Sequence, residues 1–212
     1  MGVLLNFSVY GLMIIPLAAL VKGHRITISS LVKLSLVMAT VQLAQSAIAT
    51  AAPPDMAVAQ VFVHGALLPL ITVAFCNLVL TDAKALKVMR LHHCGNDDDA
   101  GATVATLWCL VNTILFRWFP WYYTMASRGF EPDNLLAGVE AFLTLLTTLA
   151  MCRSFASGTA VATVAAVCVH VVGAVVGAVT GLPTAGMALT AALECGAAKF
   201  VSPAPRLDKR GD

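Results

Sequence analysis

Seven apolar runs follow one another along the chain: Val3 to Val21, Leu34 to Ala52, Ala57 to Leu80, Ala100 to Phe119, Leu135 to Cys152, Thr159 to Thr180 and Thr184 to Phe200. Each comes close to the ~20 residues a helix needs to cross ~30 Å of hydrocarbon. Polar and apolar positions do not alternate at period two, so the pattern predicts helical spans rather than the strands of an outer-membrane barrel. Turn-forming residues punctuate the connections, with Pro53-Pro54-Asp55 after the second run and Leu182-Pro183 after the sixth. The seventh run is the shortest and contains Glu194. The longest loop, Thr81 to Asp99, is too short for a soluble domain. The expected fold is all-α: a polytopic domain of seven transmembrane helices over residues 1–201, with a basic tail at 202–212.

Composition agrees. Of 212 residues 59% are hydrophobic and 11% charged, against roughly 25% charged in soluble domains. The net charge of +2 and the scattering of basic residues among loops argue against nucleic-acid binding. Six cysteines stand singly, mostly inside apolar runs where Cys acts as a small hydrophobe, so no disulfide framework is expected. His92-His93-Cys94 lacks the paired ligand spacing of zinc, and no metal or cofactor is expected. Asn6 stands where a myristoylation signal has Ser or Thr. The first run lacks a basic leader and is too long for a signal peptide, so it reads as a retained span.

Basic residues set the expected orientation, because translocating a basic loop is disfavoured. Lys22, Arg25, Lys33, Lys84, Lys87, Arg90, Arg153, Lys199, Arg206, Lys209 and Arg210 all fall on one side of a seven-span chain. Only Arg117 and Arg128 fall on the other. The N-terminus is therefore expected outside or in a lumen and the C-terminus in the cytosol.

Ionisable residues inside spans are costly and call for a reason. Here they are His64, Glu140, His170 and Glu194. A His–Glu proton relay would make the chain a small transporter or proton-coupled channel; hydrogen-bonded interior groups or partner contacts are the other reading. The sequence has no paired Asp motif of an intramembrane protease, no His-Glu-x-x-His helix and no Gly-x-Ser-x-Gly elbow, so no enzymatic activity is predicted. Gly173, Gly177 and Gly181 recur every four residues and form a small-residue stripe for helix packing. Within the chain or between two copies, such a stripe lets backbones approach closely. In the second span Ser35, Gln42, Gln45 and Ser46 gather on one flank that should meet protein rather than lipid. After the fourth span come Trp118, Pro120, Trp121, Tyr122 and Tyr123, aromatic rings suited to a membrane interface. Arg128-Gly129-Phe130-Glu131-Pro132-Asp133 comes next, a charged turn suited to docking a lumenal partner.

Residues along most of the chain resemble the pattern of one known family. Phe7, Pro16 and Lys22 stand where it has an aromatic, a proline in the first span and a lysine ending it. Val41-Gln42-Leu43 with Ala49-Thr50 resembles its second span, and Val88-Met89, Arg90, Gly95 and Trp108 its next block. Arg117-x-x-Pro120 with Tyr122 shortly after, then Arg128-Gly129, Glu131 and Asp133, resembles its lumenal loop. The stretch before Arg128 is two residues longer than in the family, and Gln45 stands where the family has lysine. The last two spans share only the hydrophobic pattern. The family these residues resemble is that of transmembrane protein 147. The resemblance implies a seven-helix fold like that of the anterior-pharynx-defective scaffold subunit of gamma-secretase, in the endoplasmic reticulum membrane. It also implies a non-catalytic scaffold that joins nicalin and nodal modulator behind the Sec translocon and assists insertion and folding of multi-pass membrane proteins, with no small-molecule substrate. Cytosolic Lys84, Lys87 and Arg90 would face the translocon or the ribosome.

Overall fold

The computed structural model describes residues 11, 14–15, 28–53, 55–82, 97–118, 123, 129–155 and 160–201. Most of the first predicted span, together with Lys84, Lys87, Arg90, Pro120, Tyr122, Arg128 and the 202–212 tail, lies outside the described residues. Among the described residues every regular element is a helix. We label them α1 (Ile28–Ala51), α2 (Ala57–Thr81), α3 (Asp97–Asn112, continued by a wider turn over Thr113–Arg117), α4 (Pro132–Phe155), α5 (Ala160–Thr180) and α6 (Pro183–Val201).

These helices occupy the second to seventh predicted runs. The one large shift is at α1, which begins at Ile28 rather than Leu34. Lys33 lies inside it and is exposed; a lysine can lay its methylene stem along an apolar surface while its ammonium reaches polar surroundings. Five helices are long and apolar enough to cross a membrane, spanning Leu31–Ala51, Ala57–Thr81, Ala100–Arg117, Pro132–Phe155 and Val161–Thr180. α6, which carries Glu194 and Lys199, is not among them. With Val58, Val161 and Val179 facing outward, this is an all-helical, membrane-embedded protein.

α3 is the central helix: its Val104, Ala105, Leu107 and Trp108 are all buried, whereas Val32, Leu36 and Leu43 of α1 face outward. Around its Val104, Leu107 and Trp108 pack Leu34 and Met38 of α1, Val73 and Cys76 of α2, and Met151 and Phe155 of α4. The Phe75 and Trp108 ring centroids lie 5.2 Å apart, a tilted aromatic pair. Threonines sit in this core because Thr106 and Thr113 donate to carbonyls one turn back, at 2.6 and 2.8 Å, which satisfies their hydroxyls without leaving the helix.

α5 and α6 form a hairpin closed by Gly181, whose φ of 66° ends α5 in the left-handed conformation. Gly173 and Gly177 face Gly186 of α6 so closely that backbone meets backbone. Gly181 differs from the other two members of its stripe. A Cβ there would meet nothing within 4 Å, so its role is the turn and not the packing.

Two helices are locally wound as π turns, at Val63–Leu67 within α2 and Thr113–Arg117 at the end of α3. Pro69 explains the first. It has no N–H for the Gly65 carbonyl, and its ring crowds that turn, so the backbone widens just before it. The second turn carries Arg117. One extra residue in a turn rotates the residues beyond it by about 100° around the axis, and Arg117 comes to face α4.

Candidate functional site

Where α1 to α6 diverge from one another, a cavity of about 790 Å³ opens between them. Each helix contributes one face at i, i+3, i+4 spacing. From α1 come Gln42, Gln45 and Ser46; from α3, Trp108 and Asn112; from α4, Thr144, Thr147 and Thr148; from α5, His170, Gly173 and Gly177. Gln60, Arg117 and Pro183 line it too, each near an end of its helix.

The two glutamines of α1 tie helix to helix, while Thr144, Thr147 and Thr190 donate back into their own helices. Gln42 is 2% exposed, and its Nε2 donates to the Trp108 carbonyl at 2.8 Å. Gln45 Nε2 donates to the Leu68 carbonyl at 2.9 Å and to Thr72 Oγ1 at 2.8 Å. The two glutamines of the polar flank thus bond to α3 and α2. Side-chain bonds of this kind replace water where the surroundings are hydrocarbon.

At the mouth stands an ion pair. Arg117 donates through one guanidinium nitrogen to Glu140 Oε2 and to the Ala137 carbonyl, both at 3.1 Å, and Thr184 Oγ1 donates to the other Glu140 oxygen at 3.2 Å. Three helices meet at these contacts. Deeper in, His170 Nδ1 donates to the Ala166 carbonyl at 2.8 Å and lies 3.7 Å from Glu194 Oε1. The latter is too long for a hydrogen bond but close enough for charge to be felt. Glu194 is 2% exposed.

The predicted site residues therefore separate. Arg117 and Glu140 come together, as do His170 and Glu194, while His64 is exposed at the cavity wall. Gly129 and Asp133 are exposed and Glu131 half-buried at the head of α4. Asp133 lies in the first turn of α4, where a negative charge favours the helix dipole. Sequence reading missed Asn112, Thr144, Thr147 and Thr148. A readable signal existed for the threonines, three hydroxyls on one face of an otherwise apolar run.

No known family model, no curated protein and no solved structure matches the chain.

Proposed function

We propose that the protein is a non-catalytic scaffold subunit of a translocon-associated complex in the endoplasmic reticulum membrane, assisting insertion and folding of multi-pass membrane proteins. In this reading it belongs with the transmembrane protein 147 family, spans the membrane seven times with a lumenal N-terminus and a cytosolic C-terminus, and partners nicalin-like and nodal-modulator-like subunits beside the Sec translocon. Lys84, Lys87 and Arg90 would then face the translocon or the ribosome.

The observation that supports it is the fixed stem of the loop carrying the most specific resemblance. At the start of that loop Arg117 is bonded to Ala137 and Glu140 of α4. At its end the Asn134 N–H donates to the Glu131 carbonyl at 3.1 Å, and α4 is bonded in turn to α6 through Thr184. These bonds fix the two positions, at Arg117 and at Glu131, between which the loop runs, and tie both to α4.

Affinity purification of the tagged chain from mild-detergent membranes, with mass spectrometry of the proteins retained, tests the proposal. Stoichiometric recovery of a nicalin-like glycoprotein with translocon subunits is expected. A chain recovered alone would sink the reading.

A second reading, a small proton-coupled transporter or channel, has one observation in its favour: the cavity reaches His170, and Glu194 lies beside it in the bundle. Proton flux into liposomes reconstituted with the purified chain decides. Flux abolished by Glu194→Gln would place this reading first, and flux equal to empty liposomes would remove it.

A further inference from the structure

We propose that the cavity is a binding site for a neutral membrane lipid whose headgroup carries both amide and hydroxyl groups, the chemistry of a ceramide. The proposal rests on neither reading above.

Free hydrogen-bonding groups inside the cavity come first. Ser46 and Asn112 both line it, and among the described residues neither holds a hydrogen-bond partner. Asn112 offers two donors and an acceptor, the complement of another amide. His170 lines the same space; with Nδ1 donating to Ala166, its neutral ring leaves Nε2 as an acceptor for a hydroxyl. The Oε1 atom of Gln42 is buried without a partner as well. Polar groups left unmet within hydrocarbon are costly, so a ligand that meets them is held strongly.

Charge then restricts the headgroup. The cation at the mouth, Arg117, is already matched by Glu140 at 3.1 Å, so the lining presents no uncompensated charge there to draw an ionic headgroup. Apolar walls supply the rest of the fit: Val61, Leu68, Phe116 and Met187 line the same cavity. A ligand polar at one end and apolar along its length satisfies both.

Size sets aside a single water and a spanning helix. The volume of about 790 Å³ lies within the range of small-molecule sites, roughly 300–1,000 Å³, and far above the ~30 Å³ of one water. A helix 10–12 Å across rising 5.4 Å per turn fills roughly 500 Å³ per turn. The cavity thus holds fewer than two turns, not the ~20 residues of a spanning segment. Exposed His64, Ala178 and Pro183 belong to its lining, so the cavity reaches the outer surface from which a bilayer lipid would enter.

The test uses the full chain in membranes and a photoactivatable, alkyne-bearing ceramide, with a photoactivatable phosphatidylcholine as the comparison probe. Labelling is expected on the peptides carrying Asn112 and His170, and unlabelled ceramide should compete it away. Asn112→Leu with Ser46→Ala should weaken it about tenfold, the loss of two modest hydrogen bonds. Competition on the unmodified chain decides even where that variant fails to fold. Labelling spread evenly over lipid-facing helices, equal labelling by phosphatidylcholine, or a photo-crosslinker at position 112 capturing another protein's helix would each overturn the proposal.

Discussion

Gly186→Ala is expected to destabilise the chain severely, whereas Gly196→Ala on the same helix should leave it unchanged or slightly more stable. The two changes add one methyl group each to α6. At Gly186 that methyl would overlap the Gly173 carbonyl oxygen and stand 3.1 Å from both Cα and N of Gly177. All three are backbone atoms and cannot rotate away, so α5 and α6 must separate. Such overpacking costs roughly 1–3 kcal/mol, and the upper end applies because separation also loosens the neighbouring contacts of Thr190 with both helices. At Gly196 a Cβ meets nothing within 4 Å, leaving only the better helix propensity of alanine, worth up to about 1 kcal/mol. Thermal unfolding in detergent, followed by size-exclusion of the fluorescent fusion, reads both. Equal melting temperatures for the two variants would mean that the close approach of α5 and α6 does not hold the bundle together.

That pair also marks how far the sequence could be read. Spans are legible because lipid, as a solvent, demands about twenty apolar residues from any helix crossing it, and α2 and α5 stop within a residue of their predicted ends. α1 was harder to read. Its start was obscured by Lys33, since a charge reads as a loop until its stem is seen to lie along the helix. Glycine spacing of period four does not tell Gly181 from Gly173 and Gly177. The difference is one of backbone conformation, and only the turn at Leu182 and Pro183 imposes it. The cavity was legible in parts: Gln42, Gln45 and Ser46 gave one wall, and the unread threonines of α4 gave another. That these walls face one another is a fact of topology that no single helix's periodicity contains.

The pairing of Arg117 with Glu140 was hidden for the same reason, the two residues standing in different predicted spans. Arg117→Met should cost about 3 kcal/mol, the lower end for breaking a buried ion pair. The lower end applies because the Arg117 and Glu140 side chains are 15% and 26% exposed. Glu140→Gln leaves the guanidinium facing a neutral amide and should cost less, since that amide's oxygen can still accept from Thr184. In the double variant neither charge is stranded, so its loss should be smaller than the two single losses summed, by about 1–3 kcal/mol. Unfolding measurements on all four proteins give that coupling directly, and a value near zero would mean that the two side chains do not act as a pair. Partner retention adds a second readout. If the ion pair fixes the stem of a docking loop, Arg117→Met should reduce recovery of partner subunits, and the double variant should not restore it although it recovers stability, because charge balance alone does not re-tie α3 to α4. Retention that instead tracked stability through all four proteins would assign Arg117 to folding of the bundle and leave docking to other surfaces.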